Sequence, residues 1–163
     1  MILHLLRHAE AEDVSPTGRD ADRRLTDAGE KRMRLVARAM AKLDVSYDIV
    51  LVSPLVRARQ TAEPVAEALE FGKALSETQS LSPNADPVEI LHELARLKPA
   101  AALLVGHQPH IGRLFGRLLS GRTGLEVPMK KASLGAFEAA SDPAAGPAEL
   151  KFYLSPKVLE RLA

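Results

Sequence analysis

The chain has 163 residues, 46% of them hydrophobic, so it falls within the size range of one globular domain with a substantial core. Its 22 Lys and Arg residues nearly balance its 21 Asp and Glu residues, and such a balance gives no large single-sign field for binding nucleic acid or a membrane. Cysteine is absent, which excludes disulfides, thiolate metal ligands and enzymes that attack with a cysteine thiolate. We therefore expect a single domain over residues 1–163 in which any anion-binding site is local.

The amino-terminal segment is apolar only from Met1 to Leu6, and His4 interrupts it before Arg7 and His8. A run of that length is too short for the apolar part of a secretion signal and far too short to span a bilayer. We therefore expect a cytoplasmic protein without a membrane partner.

Apolar patterns predict strands that alternate with helices. Three short continuous runs, Ile2 to Leu6, Ile49 to Val52 and Ala101 to Val105, are typical of buried strands. Helical spacing appears at four sets of apolar residues: Val36, Ala39, Met40 and Leu43; Leu55, Ala58, Ala62, Val65 and Leu69; Ile90, Leu94 and Leu97; and Ile111, Leu114, Phe115 and Leu118. The fold class predicted by this alternation is α/β, a three-layer α/β/α sandwich with a mostly parallel sheet.

The carboxyl-terminal part of the chain predicts a different pairing. Leu134 to Ala139 and Glu149 to Leu154 have the composition or alternation of strands, and a loop rich in Ala, Pro and Gly at 142–147 separates them. We expect these strands to form a partly antiparallel C-terminal edge of the sheet.

Two dipeptides mark helix starts. Asp86-Pro87, with Glu89 three residues after the aspartate, and Ser53-Pro54 each place a capping side chain before a proline at the first helical position. This interpretation accounts for Ser53 as a helix cap rather than a nucleophile. Pro64 is expected to kink or split the second helix.

Cationic and imidazole side chains follow three of the predicted strands. Arg7 and His8 come directly after the first strand, Arg57 lies just beyond the second, and His107 follows the third. Ligands of open parallel sheets gather outside the carboxyl ends of the strands, so these side chains are expected to converge. Guanidinium and imidazole groups together suit a tetrahedral phosphate dianion.

Four segments of the chain resemble the histidine phosphatase (phosphoglycerate mutase-like) superfamily. They are Leu-Arg-His-Ala-Glu at 6–10, Leu-Thr-Asp-Ala-Gly at 25–29, Ser-Pro-Leu-Val-Arg-Ala-Arg-Gln-Thr-Ala at 53–62 and Val-Gly-His-Gln-Pro at 105–109. Their order and spacing over most of the chain are specific, whereas Arg-His alone would match many proteins by chance. Within the superfamily, the short chain resembles the SixA-type phosphohistidine phosphatases.

The resemblance implies a catalytic set. His8 would be phosphorylated transiently, while Arg7, Arg57 and His107 would surround the phosphoryl oxygens. An imidazole attacks through a neutral nitrogen, so the other ring nitrogen of His8 should donate to a backbone carbonyl. The two arginines and a protonated His107 are expected to stabilise the transition state.

The charged loop from Ala9 to Thr26 begins at the expected nucleophile, and its length favours a functional role. Residues 20–26 resemble the stretch that precedes the first helix of SixA-type proteins, with Arg24 where those often have proline. Arg23 and Glu10 are therefore candidate substrate-binding residues.

No general acid stands out. Mutases and many ester phosphatases of the superfamily carry an acidic residue within an inserted segment, but residues 76–86 resemble the Leu-x-Pro stretch of SixA-type proteins instead. Glu77 and Asp86 are the candidate proton donors. Without a clear acid, an easily released leaving group is favoured over an alkyl ester.

The remaining histidines predict no metal site. His110 follows His107 by three residues, but no nearby carboxylate or third histidine completes a ligand set. His4 is interpreted as structural and His92 as solvent-facing. We therefore expect neither a metal nor another cofactor.

The function indicated is dephosphorylation of phosphohistidine on a signalling protein, through a phosphohistidine intermediate at His8. Two alternatives stay open at this point. One is a phosphatase of small phosphate monoesters that uses the same residues, and the other is a phosphate-binding module without turnover.

Overall fold

The computed structural model describes residues 1–163 and contains one six-stranded sheet. The strands are β1 (Ile2–Arg7), β2 (Ile49–Val52), β3 (Ser76–Glu77), β4 (Ala101–Gly106), β5 (Leu134–Glu138) and β6 (Glu149–Leu154). Their order across the sheet is β3-β2-β4-β1-β5-β6. β1, β2, β3 and β4 are parallel, β5 runs antiparallel to β1, and β6 runs antiparallel to β5. The predicted mostly parallel sheet with a partly antiparallel C-terminal edge is therefore confirmed.

Five α-helices cover the two faces of the sheet. They are α1 (Asp27–Lys42), α2 (Val56–Ala68), α3 (Pro87–Leu97), α4 (His110–Ser120) and α5 (Pro156–Leu162). Two short 3-10 helices, Asp20–Asp22 and Gln79–Leu81, lie in the connections.

The buried apolar residues form one cluster on each face. One cluster joins the sheet to α1, α2 and α5 and includes Met33, Val65 and Leu159. The other joins the opposite face to α3 and α4 and includes Leu94 and Phe115. Successive side chains of a strand point to opposite faces, so Leu5 and Leu6 of β1 belong to different clusters. This arrangement is the predicted three-layer α/β/α sandwich.

One of the two predicted helix caps is confirmed, and α1 has a cap that was not predicted. Asp86 caps α3, since its Oδ1 accepts the Val88 amide at 2.9 Å, and Thr26 caps α1 by accepting the Gly29 amide at 3.1 Å. The prediction for Ser53 is wrong. α2 begins at Val56 after Leu55, no side chain caps it, and the Ser53 hydroxyl is bonded elsewhere.

The structure contains two elements that the apolar patterns did not predict, and it shows that Pro64 does not split α2. β3 has two residues and α5 has seven, lengths too short for a periodic pattern to be visible. α2 continues through Pro64, so the helix is not split there.

No helix combines the length and the apolar character needed to cross a bilayer.

Candidate active site

A cavity of about 310 Å³ lies at the carboxyl ends of β1 and β4, where the sequence predicted the convergence of charged residues. It is lined by Arg7, His8, Ala11, Asp13, Asp20, Arg23, Arg57, Pro83, His107, Gln108 and Lys131. The structure thus brings together all four residues expected to form the catalytic set. It also brings in Asp13, Asp20, Gln108 and Lys131, which the sequence alone did not assign to the site.

The backbone fixes the position of His8. Its amide donates to the Gly106 carbonyl at 3.0 Å, and the next amide, that of Ala9, donates to Thr61 Oγ1 at 3.2 Å. Nδ1 of His8 lies 2.7 Å from the Ala9 carbonyl oxygen, which can only accept, so Nδ1 carries the proton. The expected backbone partner of His8 is therefore present, and Nε2 is left with the lone pair.

Electrostatics keep His8 neutral. His8 is 8% exposed, and burial lowers the pKa of its imidazole to about 4. The hydrogen bond to Ala9 opposes this shift, whereas the charges of Arg57, Arg7 and Lys131 add to it. A neutral imidazole is the form that can act as a nucleophile at neutral pH.

His107 lies beside His8, with the two ring centroids 5.0 Å apart. Its Nε2 is 2.6 Å from Ser53 Oγ, and its Nδ1 is buried without a partner in the protein. Burial, together with His8 and the charge of Arg57, lowers the pKa of His107 to about 2. His107 is therefore neutral in the free protein, because desolvation and neighbouring positive charge both oppose its protonation, and its expected protonation during phosphoryl transfer stays a prediction.

The two arginines approach the cavity from different elements. Arg57, on the first turn of α2, is 4% exposed and donates through Nη1 to the Asp20 carbonyl at 2.7 Å and through Nη2 to Asp20 Oδ2 at 3.0 Å. Arg7, at the end of β1, donates through Nη1 to the Met129 carbonyl. The Nε groups of both arginines are buried without a partner in the protein.

The loop after His8 places one carboxylate against these arginines. Asp20 Oδ1 accepts from Arg23 Nε at 2.9 Å, and Arg23 also donates to the Glu12 carbonyl at 2.8 Å. Partial burial raises the pKa of Asp20, but the hydrogen bonds and charges of Arg57 and Arg23 outweigh it and leave the pKa below its usual value. Asp20 is thus an ionised oxyanion held by two guanidiniums, and Arg23 lies on the cavity as expected.

Glu10 does not line this cavity, and its predicted contact with substrate stays a prediction. Its carboxylate pairs with Arg32, whose Nε donates to Glu160 at 2.5 Å. The Glu10 carbonyl accepts the Thr26 amide at 3.0 Å, and a Cβ at Gly29 would lie 2.2 Å from that same carbonyl. Glu10 therefore anchors the start of the loop to α1 and α5.

Both candidate general acids also lie outside the cavity. Glu77 is exposed and accepts from Arg59 at 2.7 Å, and the Asp86 carboxylate is occupied in capping α3. Neither residue is therefore placed to donate a proton to a leaving group in this cavity, and their assignment as proton donors stays a prediction that the structure does not support. The carboxylates that line the cavity are those of Asp13 and Asp20.

The other histidines are spread through the fold. His4 packs between Tyr47 and Phe152, with ring centroids 5.4 and 5.7 Å away, as expected of a structural residue. His110 is buried in α4, outside the cavity that holds His107, and His92 is exposed as expected.

This geometry is suited to binding an oxyanion whose central atom is attacked by the imidazole of His8. Guanidinium donors lie beside a neutral imidazole whose lone pair is defined, and a second buried imidazole adjoins it. The comparisons with known proteins bear on the same residues. A sequence model of the histidine phosphatase superfamily (branch 1) matches residues 3–82.

A relative extends the match along the chain. Phosphohistidine phosphatase SixA of Escherichia coli (strain K12) is 31% identical over 126 residues, which are 76% of this chain and 77% of that protein. This chain belongs to the histidine phosphatase superfamily. This superfamily member is a phosphatase that uses a histidine nucleophile.

Two further similarities cover more of the chain. An uncharacterized protein of Picosynechococcus sp. is 39% identical over 137 residues, which are 82% of either chain. The structure of the protein histidine phosphatase SixA complexed with tungstate superposes with a TM-score of 0.85 at 26% identity, covering 96% of this histidine phosphatase and 98% of that chain. The phosphoglycerate mutase-like fold expected from the sequence is thereby confirmed.

Proposed function

We propose that this histidine phosphatase removes the phosphoryl group from phosphohistidine on a protein, with His8 as the nucleophile. The observation that carries the proposal is the hydrogen bond from Nδ1 of His8 to the Ala9 carbonyl, because His8 lines a cavity together with Arg7 and Arg57. One ring nitrogen is fixed as a donor, so the other is available to attack phosphorus. The similarity to SixA supports the choice of substrate class.

In the first step, Nε2 of His8 forms a bond to phosphorus as the P–N bond to the substrate imidazole breaks. The charge of this loose transition state is spread over three equatorial oxygens. The guanidinium groups of Arg7 and Arg57, which line the cavity, would supply donors for those oxygens. Burial is the largest cause of the lowered pKa of His107, and the charge of Arg57 is a smaller one. Binding of the dianion would offset that charge, so protonation of His107 is more favourable in the complex than in the free protein.

In the second step, water attacks the phosphorus of the phosphorylated His8, and the P–N bond to Nε2 breaks. Phosphate leaves, and the neutral imidazole is restored. Asp20 already places one carboxylate oxygen, Oδ2, on Nη2 of Arg57, so phosphate and the Asp20 carboxylate compete for that donor. This competition favours release of the product.

The proposal takes residues 1–163 as a single histidine phosphatase domain. One sheet includes residues from Ile2 to Leu154, and the cluster around α1 also buries Leu159 of α5, which supports one folding unit. The proposed partner is a histidine-phosphorylated signalling protein.

The test is turnover of a protein carrying phosphohistidine, measured beside an aryl and an alkyl phosphate monoester. We expect release of phosphate from the phosphoprotein and an acid-labile phosphoenzyme that intact-mass spectrometry detects. His8→Ala should lose turnover and the phosphoenzyme, yet still bind inorganic phosphate, because the arginines remain. His92→Ala, which changes an exposed histidine outside the cavity, is the matched control.

Other outcomes would identify the alternatives. Turnover of monoesters with none of the phosphoprotein would indicate a small-molecule phosphatase. Phosphate binding without turnover of any substrate would indicate a binding module. Full activity of His8→Ala would remove His8 from the role of nucleophile.

A further inference from the structure

A second hollow, of about 430 Å³, adjoins the active-site cavity. Arg7 and Lys131 line both. The remaining lining residues of the second hollow include Lys130 and Lys157, and we call Lys130, Lys131 and Lys157 the lysine shelf. The shelf is therefore continuous with the place where the phosphoryl group is expected to bind.

The lysine shelf lies where the antiparallel strands β5 and β6 meet the active site. β5 runs antiparallel to β1, and β6 runs antiparallel to β5. The end of β1, the start of β5 and the end of β6 therefore lie on the same side of the sheet, at the carboxyl ends of the parallel strands. Lys130 and Lys131 precede β5, and Lys157 follows β6. The sheet topology thus places all three lysines beside Arg7.

Hydrogen bonds hold the shelf in register with His8. Ala132 has a positive φ of 58°, and its amide reaches the carbonyls of Arg7 at 3.0 Å and His8 at 3.2 Å. The Lys130 amide donates to the Tyr153 hydroxyl at 3.1 Å. A left-handed conformation is uncommon for a residue other than glycine and persists where surrounding contacts impose it. The turn that carries Lys130 and Lys131 is therefore built onto the active-site backbone.

The charge of the shelf is not neutralised by its neighbours. The three lysines are exposed, and none of their ammonium groups forms an ion pair. The nearby carboxylates of Glu10 and Glu160 are both engaged by Arg32. The chain as a whole carries a formal charge of only +1, so this edge is a local concentration of positive charge.

We propose that the lysine shelf binds an acidic face of the phosphoprotein whose phosphohistidine enters the cavity. The inference rests on the proposed function, because it takes the substrate to be a protein. Lys130 and Lys157 do not line the active-site cavity, so an occupant that contacts them as well as His8 must present its phosphoryl group from a larger surface than a small monoester has. Rim charges of this kind steer encounter and select partners, and lysines adapt to carboxylates without a fixed geometry.

The experiment compares Lys130→Glu/Lys157→Glu with Lys98→Glu/Arg122→Glu. Both double variants reverse two exposed positive charges. Lys98 precedes β4 and Arg122 follows α4, so both lie at the opposite edge of the sheet, near the amino ends of the parallel strands and away from the active site. Lys131 is left unchanged because it lines the active-site cavity. The probes are an aryl phosphate and a small protein phosphorylated with phosphoramidate on one histidine, in one version with Asp and Glu around that histidine and in another with Lys.

We expect the shelf variant to lose at least about tenfold in kcat/KM for the acidic phosphoprotein, mainly through KM. Its kcat/KM for the aryl phosphate should stay within about threefold of wild type, which also shows that the variant is folded. The shelf variant should prefer the lysine-surrounded phosphoprotein, whereas wild type and the opposite-edge control should prefer the acidic one.

Two failures can be told apart. If wild type hydrolyses the phosphoprotein and the shelf variant does so equally well with an unchanged preference, the shelf proposal is overturned while the proposed function stands. If wild type hydrolyses the aryl phosphate but neither phosphoprotein, the proposed function fails and the shelf proposal fails with it. An equal loss in the opposite-edge control would also overturn the shelf, because the effect would then follow net charge alone.

Discussion

The hydroxyl of Ser53 lies 2.6 Å from Nε2 of His107, and both groups are buried. Ser53 follows β2 and His107 follows β4, two neighbouring parallel strands, so the sheet itself sets this pair. The bond holds the imidazole of His107 beside His8 and leaves Nδ1 of His107 without a partner in the protein. Ser53 is thus a positioning residue for the second histidine.

Ser53→Ala should lower kcat/KM about fivefold, the effect of one lost hydrogen bond of ~1 kcal/mol on the orientation of His107. Steady-state kinetics on an aryl phosphate measure the change. Ser133→Ala is the matched control, since it removes a buried hydroxyl that has no hydrogen-bond partner. Wild-type kinetics in Ser53→Ala would show that the hydroxyl does not position His107.

Arg57→Lys should be far from conservative. Arg57 uses both Nη groups on Asp20 and still has a buried, unpartnered Nε–H, a planar set of donors that one ammonium cannot reproduce. The loss of transition-state stabilisation should be on the order of 3 kcal/mol, or about a hundredfold in kcat/KM. Arg59→Lys, an exposed neighbour on the same helix, should remain near wild type, and similar rates for the two variants would argue against a role for Arg57 at phosphorus.

Lys131→Met tests the cation shared by the cavity and the lysine shelf. Its charge is one cause of the lowered pKa of His8, so its removal should raise that pKa, which an NMR titration of the imidazole detects. For aryl phosphate and phosphoprotein alike, kcat/KM should fall about fivefold, the effect of ~1 kcal/mol from one partly solvated charge. Lys130→Met should affect the phosphoprotein alone. An unshifted pKa of His8 together with unchanged kinetics would place Lys131 outside the site.

The free energy of unfolding should decrease as the solution is acidified. His4 allows this effect to be measured apart from catalysis, because it does not line the active-site cavity. Burial lowers the pKa of His4 from 6.5 to about 4 in the folded protein, so the unfolded chain binds more protons between those values. The free energy of unfolding should therefore decrease as pH falls from about 6.5 towards 4, with up to ~3 kcal/mol from this residue. His4→Leu should reduce the decrease, as urea unfolding at several pH values would show. An equal decrease in His4→Leu would mean that His4 does not take up a proton on unfolding.

The sequence was sufficient for features that depend on local pattern. Apolar runs followed at once by Arg7-His8 and by Gly106-His107 locate two strand ends, and parallel pairing then brings them together. The partner of Ser53 could not be found in this way, because His107 is 54 residues away and the Ser-Pro pair already had a local explanation as a cap. The contacts of Asp20 and Glu10 depend on the path of a loop whose sequence has no periodic pattern. Nothing in the sequence therefore indicated that Asp20 pairs with Arg57 whereas Glu10 pairs with Arg32.

The positions of the carboxylates determine which leaving groups the site can release. An alkoxide leaving from a serine or a sugar needs a proton as its bond to phosphorus breaks. Glu77 and Asp86 lie outside the cavity, and the lowered pKa of Asp20 keeps that carboxylate ionised at neutral pH. A phosphorylated imidazole can instead take a proton on its free ring nitrogen from solvent and leave as neutral imidazole. Transfer from one histidine to another also replaces one P–N bond by another, so the site needs mainly to align donor and acceptor.

We therefore expect kcat/KM for a phosphohistidine protein to exceed that for alkyl monoesters by at least about a hundredfold, the lower end of a typical contribution from a general acid. Parallel assays of both substrates at neutral pH measure the ratio. Asp13→Asn serves as the control, because Asp13 is the other carboxylate on the cavity and its replacement should leave the ratio unchanged. Alkyl-ester hydrolysis as fast as phosphohistidine hydrolysis, and lost in Asp13→Asn, would contradict the prediction and identify Asp13 as the acid. If the fast ester hydrolysis persisted in that variant, the arginines alone would have to stabilise the leaving alkoxide, and the argument from the missing acid would fail.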